Sequence, residues 1–151
     1  MNCPQRNILK NGGFQSGLSS WQGKGVQLAP NPIRRGDVSV RLENEGLLYQ
    51  YVPGPFRSNC SYYLYFRIYN NRRSLKPPLV LVSVAYMDRN KKLLRTTPVL
   101  VEPPYTQEAH FSSYFSIVPP PPVATQYTAV IFQVQKGSVL VDYIALTPHD
   151  V

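Results

Sequence analysis

The sequence contains few residues of several kinds, and each shortage excludes a class of protein. Its 151 residues include two cysteines, one tryptophan, two methionines, and 8 acidic against 16 basic residues. Two cysteines are too few for a disulfide scaffold. No segment approaches the roughly 20 consecutive apolar residues that cross a bilayer, and the opening MNCPQRN lacks the apolar run of a signal peptide. We therefore expect a chain made in the cytoplasm without a signal peptide, and no membrane span.

Helical periodicity is also missing, because no stretch sustains a period of 3.6 residues. Apolar and polar residues instead alternate with a period of two, which is typical of strands with one face in a core. The 15 prolines and 11 tyrosines favour strands joined by irregular loops. Breaks such as PGPFRSN and VPPPPVATQ separate about nine to eleven strands. The pattern predicts one all-β domain over residues 1–151, a single antiparallel β-sandwich.

The parity of this alternation predicts which side chains lie in the core. In CSYYLYFRIY the even-numbered residues share the inward face, and in HFSSYFSIV we place the phenylalanines inward, opposite Tyr114. The predicted core contains Phe14, Trp21, Val40, Tyr62, Leu64, Phe66, Phe115, Phe132 and Val141.

One segment, LVLVSVAYM at residues 79–87, is apolar on both faces. A sandwich strand normally leaves one face in water, so either loops or another chain must cover the second face. We predict self-association through Leu79, Leu81 and Met87. The expected partner is a second copy of the chain or a surface-layer scaffold.

The two cysteines bear on the same question of assembly. Cys60 falls on the inward face of its strand, which predicts a buried thiol. Cys3 precedes the first strand and is not expected to reach Cys60. An exposed Cys3 could form a disulfide between chains outside the reducing cell; the alternative is a terminal residue without a role.

A second pattern suggests sugar binding. Outward-facing side chains of one strand form a stripe, which a neighbouring strand could extend; the residues are Tyr63, Tyr65, Arg67, Tyr69 and Tyr114. Aromatic faces beside planar polar groups suit a glycan. The alternative is that tyrosines are simply good strand formers.

Two other functions are not expected. The net charge of +8 attracts anionic surfaces, but the basic loops IRRGD, NNRRSLK and DRNKKLLR contain no aromatic residue that could stack on a base. Nucleic acid is therefore not predicted as a partner. An enzyme is not predicted either, because no serine lies in a nucleophile-elbow motif and the carboxylates are scattered.

The order of several motifs carries a family resemblance. NILKNGGFQSGLSSW, LLYQYVPG, YYLYFRIYN, VSVAYMDRN and VLVDYIALTP together resemble the galactose-binding-like jelly rolls, which include carbohydrate-binding modules. YQYVPG followed by PPLVLVSVAYMD resembles the globular domain that precedes collagen-like triple-helix repeats in surface proteins of spore-forming Firmicutes. The resemblance implies a jelly-roll fold, a non-enzymatic role, a surface location and trimerisation.

The first resemblance also implies roles for individual residues. In such jelly rolls the Trp after the glycine-rich segment packs inward and closes one end of the sandwich, so Trp21 and Phe14 are expected to be structural. Many relatives hold calcium between this segment and an acidic pair in the last strand, which makes Gln15 and Asp142 the candidate ligands. Because Gln15 and Tyr143 stand where acids are common, no cofactor is expected.

Two functional hypotheses remain. The first is a structural protein, deposited on a spore or cell surface, that self-associates through its sandwich faces. The alternative is a carbohydrate-binding module that recognises a glycan on the Tyr/Arg strand face.

Overall fold

A computed structural model of the chain describes residues 3–73 and 76–151. The remaining four positions of the predicted domain, two of them in the basic loop NNRRSLK, lie outside the described residues. The described part forms eight strands and no helix. They are β1 (Gln22–Pro30), β2 (Val38–Pro53), β3 (Cys60–Tyr69), β4 (Leu79–Met87), β5 (Leu93–Val101), β6 (Ser112–Val118), β7 (Tyr127–Lys136) and β8 (Val139–Asp150).

The eight observed strands are fewer than the predicted nine to eleven, because β2 is one long strand. This region of the sequence contains DVSVRLE and LLYQYVP, and the structure runs all 16 residues of Val38–Pro53 as β2. Its first part, residues 40–42, pairs with β8, and its second part, residues 47–53, pairs with β7. Between the two parts Glu45 has a positive φ of 61°. This is where β2 passes from one layer to the other.

The strands form two packed layers. Hydrogen bonding follows the order β5-β4-β7-β2-β8-β3-β6, with β1 beside β2, and all of these pairs are antiparallel. The strands β3 and β7 are not neighbours in this order, yet the rings of Phe66 and Phe132 lie 5.3 Å apart. Contacts of this kind across the layers make the predicted antiparallel β-sandwich.

The core lies between the layers and confirms most of the predicted parity. Phe14, Trp21, Val40, Tyr62, Leu64, Phe66, Phe132 and Val141 are all buried. The inward side of the doubly apolar strand is also in the core, since Val80, Val82, Val84 and Tyr86 have no exposed area. The hydroxyl of Tyr86 donates a hydrogen bond to the carbonyl of Pro119 at 2.8 Å, so this buried polar group has a partner.

The predicted position of Phe115 in the core is wrong. In the β3–β6 pairing, Tyr114 lies opposite Phe66 and Phe115 lies opposite Tyr65. Directly opposed residues project to the same side of a sheet, so Tyr114 points inward and stacks on Phe66 at 5.3 Å. Phe115 is 58% exposed on the outside. Two adjacent aromatic residues made the parity of this strand ambiguous in the sequence.

Cys60 is buried, as predicted, but it is not a free thiol. The expectation for Cys3 is wrong, because Cys3 is buried and forms a disulfide with Cys60 within the chain. The N-terminal segment runs alongside β8, where the amide of Ile8 donates to the carbonyl of Leu146 at 2.9 Å. At the end of β8, the carboxylate of Asp150 accepts a hydrogen bond from the amide of Cys3 at 2.7 Å. Since Cys60 pairs with Asp150 in the ladder, this path brings Cys3 to Cys60.

Trp21 is a buried residue, as the resemblance implied. Its indole is 6% exposed and packs against Phe14, with ring centroids 5.6 Å apart. The indole Nε1 donates to the carbonyl of Asn11 at 2.9 Å. The side chain of Asn11 in turn donates to the carbonyls of Gly17 and Ser19. The glycine-rich segment is therefore a turn that is organised around Asn11 and covers Trp21.

Trp21→Ala should lower the free energy of unfolding by about 3–5 kcal/mol, as large truncations in a core do. Phe115→Ala is the control, because it removes a large ring from an exposed position and should cost less than about 1 kcal/mol. Urea denaturation of the three proteins measures both effects. Equal losses in the two variants would contradict the assigned burial.

Replacing both cysteines, Cys3→Ser with Cys60→Ser, should lower the free energy of unfolding by about 2–4 kcal/mol, because the disulfide restricts the unfolded chain. Reducing agent should shift the wild-type urea midpoint in the same direction and leave the double variant unchanged. A covalent dimer on a non-reducing gel would instead place the disulfide between chains.

Candidate functional site

The predicted glycan-binding stripe lies only partly on one surface. Tyr63, Tyr65 and Arg67 project from the outer side of β3, where the neighbouring residues come from β6 and β8. We call this outer surface the tyrosine face; it is formed by Tyr63, Tyr65, Arg67, Phe115, Ile117, Tyr143 and His149.

Two residues of the predicted stripe are not available on this face. Tyr69 is 8% exposed, because Phe111 packs its ring edge-on at 5.6 Å. Tyr114 points inward onto Phe66, and burial raises the pKa of its hydroxyl. His110 is exposed near this end of β6, and its ring Nδ1 lies 2.9 Å from the carbonyl of Phe111.

The remaining rings of the tyrosine face are engaged with one another. Tyr63 is stacked on the ring of His149 at 3.6 Å and contacts Phe115 edge-on at 5.0 Å. Tyr65 meets Tyr143 edge-on at 5.9 Å. A sugar that stacks on Tyr63 would have to displace His149 or use the other side of the ring.

The charged end of the tyrosine face is built by a bulge. Arg67 pairs with Tyr143, and the next residue, Ile68, pairs with Val141. The pairing register therefore shifts by one residue, and Asp142 is the extra residue on β8. A bulge of this kind redirects a side chain. Here the Oδ1 atom of Asp142 lies 3.0 Å from Nε of Arg67. The guanidinium of Arg67 also lies 5.1 Å from the ring centroid of Tyr143.

The two acids at this end have opposite pKa shifts. Burial raises the pKa of Asp142, and the charge of Arg67 and a hydrogen bond from Asn31 oppose that rise. Hydrogen bonds from the amide of Val38 and from Gln15 lower the pKa of Asp37. The guanidinium of Arg67 lies beside Asp142, and its charge also contributes to the lowered pKa of Asp37.

The residues at the candidate calcium site do not fit the ion. Gln15 turns its amide nitrogen toward Asp37 and donates a hydrogen bond at 2.7 Å. Asp142 already has the cation of Arg67 beside it. Calcium needs six or more oxygen ligands with several carboxylates, and the described residues contain no group of three histidine, cysteine or acidic side chains that could hold a metal. We assign no metal role to Gln15 and Asp142.

A second surface, which no sequence pattern predicted, lies on the other layer. We call the outer side of β2, β7 and β4 the amide face. On it Tyr49 lies opposite Ile131, Tyr51 opposite Ala129, and Gln133 opposite both Leu47 and Leu81. Gln22 of β1 extends it, beside Tyr49. In LLYQYVP the polar Gln50 is the buried residue and the tyrosines lie outside, so the segment does not follow the usual apolar-inward pattern.

A buried glutamine holds the two tyrosines on this surface. Gln50 lies between the two tyrosines in the sequence, and its side chain is buried. Its side-chain oxygen accepts a hydrogen bond from the amide of Lys10 at 2.8 Å, and its side-chain nitrogen donates one to the carbonyl of Lys10 at 2.9 Å. Because strand residues alternate, an inward Gln50 places Tyr49 and Tyr51 outward. Their rings lie 5.5 Å apart, edge to face, and Tyr51 is 37% exposed.

Polar groups surround these rings. The hydroxyl of Tyr49 donates to Oε1 of Gln22 at 3.1 Å, and Gln133 is exposed. The ammonium of Lys91 lies 4.6 Å from the ring of Tyr51 and 5.3 Å from that of Tyr127. These cation–π contacts come from an exposed side chain in the β4–β5 turn.

The apolar outer side of β4 forms the floor of the amide face. Leu79, Leu81 and Met87, which we predicted to mediate self-association, are half-buried within the chain. Both edges of β4 are paired, with β5 and with β7, so the side chains of these strands flank its outer side. Ala85 is almost fully buried. The strand is therefore partly covered by its own sheet.

The fold is similar to the folds of several solved carbohydrate-binding modules. The module TmCBM61, solved with β-1,4-galactotriose, is 20% identical, with a TM-score of 0.66 over 93% of this chain and 97% of that one. The CBM22-1 xylan-binding domain of Paenibacillus barcinonensis Xyn10C is 11% identical, with a TM-score of 0.60 over 100% and 96%. The predicted jelly-roll β-sandwich is thereby confirmed.

A larger protein contains the same fold as one part. The enzymatically active domain of tailspike protein 4 from bacteriophage CBA120 is 17% identical, with a TM-score of 0.67 over 94% of this chain. The chain spans about a fifth, 21%, of that structure.

The sequence matches no protein-family model and no curated protein. Among the described residues, no helix is long and apolar enough to cross a membrane.

Adding calcium or a chelator should shift the melting temperature by less than a few degrees, because the Arg67 cation already lies beside Asp142. Differential scanning fluorimetry in calcium, in chelator and in plain buffer measures the effect. Since a ligand at 100 times its Kd stabilises a protein by about 2.7 kcal/mol, a real site would be detected. A clear rise in calcium that the chelator reverses would restore the metal site.

Proposed function

We propose that this domain is a non-catalytic carbohydrate-binding domain that binds a glycan chain along the amide face. The observation that carries the proposal is the pair Tyr49 and Tyr51, two outward rings 5.5 Å apart on one strand, flanked by the exposed amides of Gln22 and Gln133. Apolar surface with a few placed polar groups is the usual composition of a ligand site. Sugar C–H faces stack on aromatic rings, and sugar hydroxyls pair with planar amides.

The accessibility of the rings favours the amide face over the tyrosine face. One side of the Tyr63 ring is covered by His149 at 3.6 Å. The ring of Tyr51 is approached by Lys91, whose long flexible side chain can move aside or bond a sugar hydroxyl. A sugar can therefore reach Tyr51 without breaking an aromatic stack.

The dimensions of the amide face suit a chain rather than a single sugar. The neighbouring strands β1, β2, β7, β4 and β5 lie side by side. At about 4.8 Å per strand, this layer is about 19 Å wide. The neighbours solved with β-1,4-galactotriose and described as xylan-binding support a linear oligosaccharide as the ligand.

A location outside the reducing cytoplasm is part of the proposal. A disulfide such as Cys3–Cys60 persists in oxidising surroundings. The net charge of +8 would hold the protein near an anionic wall or coat. Self-association of a spore or cell-surface protein remains a prediction, and the half-buried positions of Leu81 and Met87 do not add to it.

Tyr51→Ala and Tyr49→Ala should each weaken binding of the glycan by at least about tenfold, because each removes a central aromatic contact. A glycan array selects the ligand, with β-1,4-galactotriose and xylo-oligosaccharides as first probes, and isothermal titration calorimetry measures the affinity. Tyr63→Ala is the matched control and should bind like the wild type.

The opposite pattern, with binding lost in Tyr63→Ala and kept in Tyr51→Ala, would move the site to the tyrosine face. Light scattering of the same samples tests assembly. If the wild type forms oligomers that Leu81→Lys dissociates into folded monomers, and no glycan binds, the amide face is an assembly surface and the proposal is wrong.

A further inference from the structure

The strand β6 lies at one end of the hydrogen-bonding order. Within the part of the chain that the structure describes, it pairs with β3 alone. Residues of an antiparallel strand direct their backbone groups to its two sides in alternation, so about half of the seven residues of β6 present N–H and C=O groups away from β3. These groups can bond to a further strand.

The other two edge strands carry features that prevent pairing with another chain. Proteins protect sheet edges with prolines, bulges and positively charged side chains. The strand β5 contains Arg95 and Pro98, and β1 contains Lys24, Pro30 and a break in register between Lys24 and Val26. The strand β6, SSYFSIV, contains no proline and no charged residue, and its pairing with β3 has no break. Among the described edge strands, β6 is therefore the unprotected one.

The core holds β6 in position, and its outer side chains are apolar. Tyr114 stacks on Phe66, and Val118 is fully buried. Phe115 and Ile117 project to the outside, where they are 58% and 59% exposed. A fixed, uncharged edge that also exposes apolar side chains is a ready template for pairing with another strand.

The charges beside this edge balance, so they do not hold two copies of it apart. The nearest ones to Ser113 are two arginines and two aspartates: Arg34, Arg67, Asp37 and Asp142. Although the chain as a whole carries +8, an anionic partner would be drawn to the basic loops and not to this strand. The strand that best matches an uncharged apolar edge is another uncharged apolar edge, which is β6 of a second copy.

We propose that two copies of the chain pair through β6 to form a twofold dimer. A twofold axis at Phe115, the middle residue, is the antiparallel arrangement that pairs all seven residues of both strands. It places Phe115 opposite Phe115 of the partner subunit, and directly opposed aromatic residues stabilise a sheet. Since each copy has one unprotected edge and the pairing uses it, assembly closes at two copies.

The dimer goes beyond the proposed function, because β6 lies in the other layer from the amide face. The twofold axis of two identical antiparallel strands is perpendicular to their sheet. The dimer therefore turns both tyrosine faces to one side and both amide faces to the opposite side. Two amide faces on one side raise the avidity for a polysaccharide surface, and that consequence alone rests on the proposed function.

The wild type should show a monomer–dimer equilibrium with a Kd on the order of 100 µM, because a contact confined to one strand is smaller than a standard interface. Sedimentation velocity up to about 1 mM protein measures this Kd. Phe115→Lys should raise it by at least about tenfold, because two ammonium groups would then be directly opposed. Leu100→Lys is the matched control: it makes the same kind of change at a 60% exposed position of β5 and should dimerise like the wild type.

A cross-link tests the position of the axis. Opposed residues have Cα atoms about 4.5–5.5 Å apart, which a disulfide can span. Oxidised Phe115→Cys should therefore give a covalent dimer on a non-reducing gel, whereas Leu100→Cys should not. The wild-type cysteines are bonded to each other and serve as the background. A dimer whose Phe115→Cys variant does not cross-link overturns the axis at Phe115.

Urea midpoints and circular dichroism show whether each variant is folded before its association is interpreted. A wild type that stays monomeric at about 1 mM overturns the proposal and leaves the edge for a strand of another protein. A dimer that folded Phe115→Lys leaves intact, or that Leu100→Lys also abolishes, overturns it as well. Glycan binding is measured on the amide face by separate titrations, so none of these results alters the case for that site.

Discussion

The strand β2 bonds to both layers, and the direction of its side chains decides what reaches each surface. The two hydrogen bonds between Gln50 and the backbone of Lys10 fix that direction. A shift of one residue would bury Tyr49 and Tyr51 and leave the amide of Gln50 in water. The backbone of Lys10 would then lose both partners. One buried side chain thus holds the outer rings of the amide face in place.

The N-terminal segment carries this constraint to the rest of the domain, although it contains no strand of its own. Asn7 bonds to the backbone of Ile144 and Leu146 on β8, Lys10 bonds to β2, and Asn11 organises the turn that covers Trp21. The Cys3–Cys60 disulfide joins the same segment to β3. Strands from both layers are therefore tied to one stretch of chain.

Local alternation was enough to predict the sandwich and most of its core, because burial of one strand face leaves a period of two in the sequence. It failed where the signal was not local. Tyr114 and Phe115 are adjacent aromatics, and only the pairing with β3 decides which one is inside. The disulfide spans a sequence separation of 57 and depends on the path beside β8. The amide face combines β1, β2, β7 and β4, and the contact between Arg67 and Asp142 depends on a bulge that no local pattern predicts.

The two outer faces differ in how much of their aromatic surface a ligand could reach. On the tyrosine face, the ring of His149 stacks on Tyr63 at 3.6 Å, so a ligand would have to compete with a contact that the chain already makes. On the amide face, Tyr51 is 37% exposed, and the flexible side chain of Lys91 lies over its ring. The two faces lie on the outer sides of layers that pack about 10 Å apart, and they face away from each other. One linear glycan therefore cannot lie along both of them without passing around the edge of the sandwich.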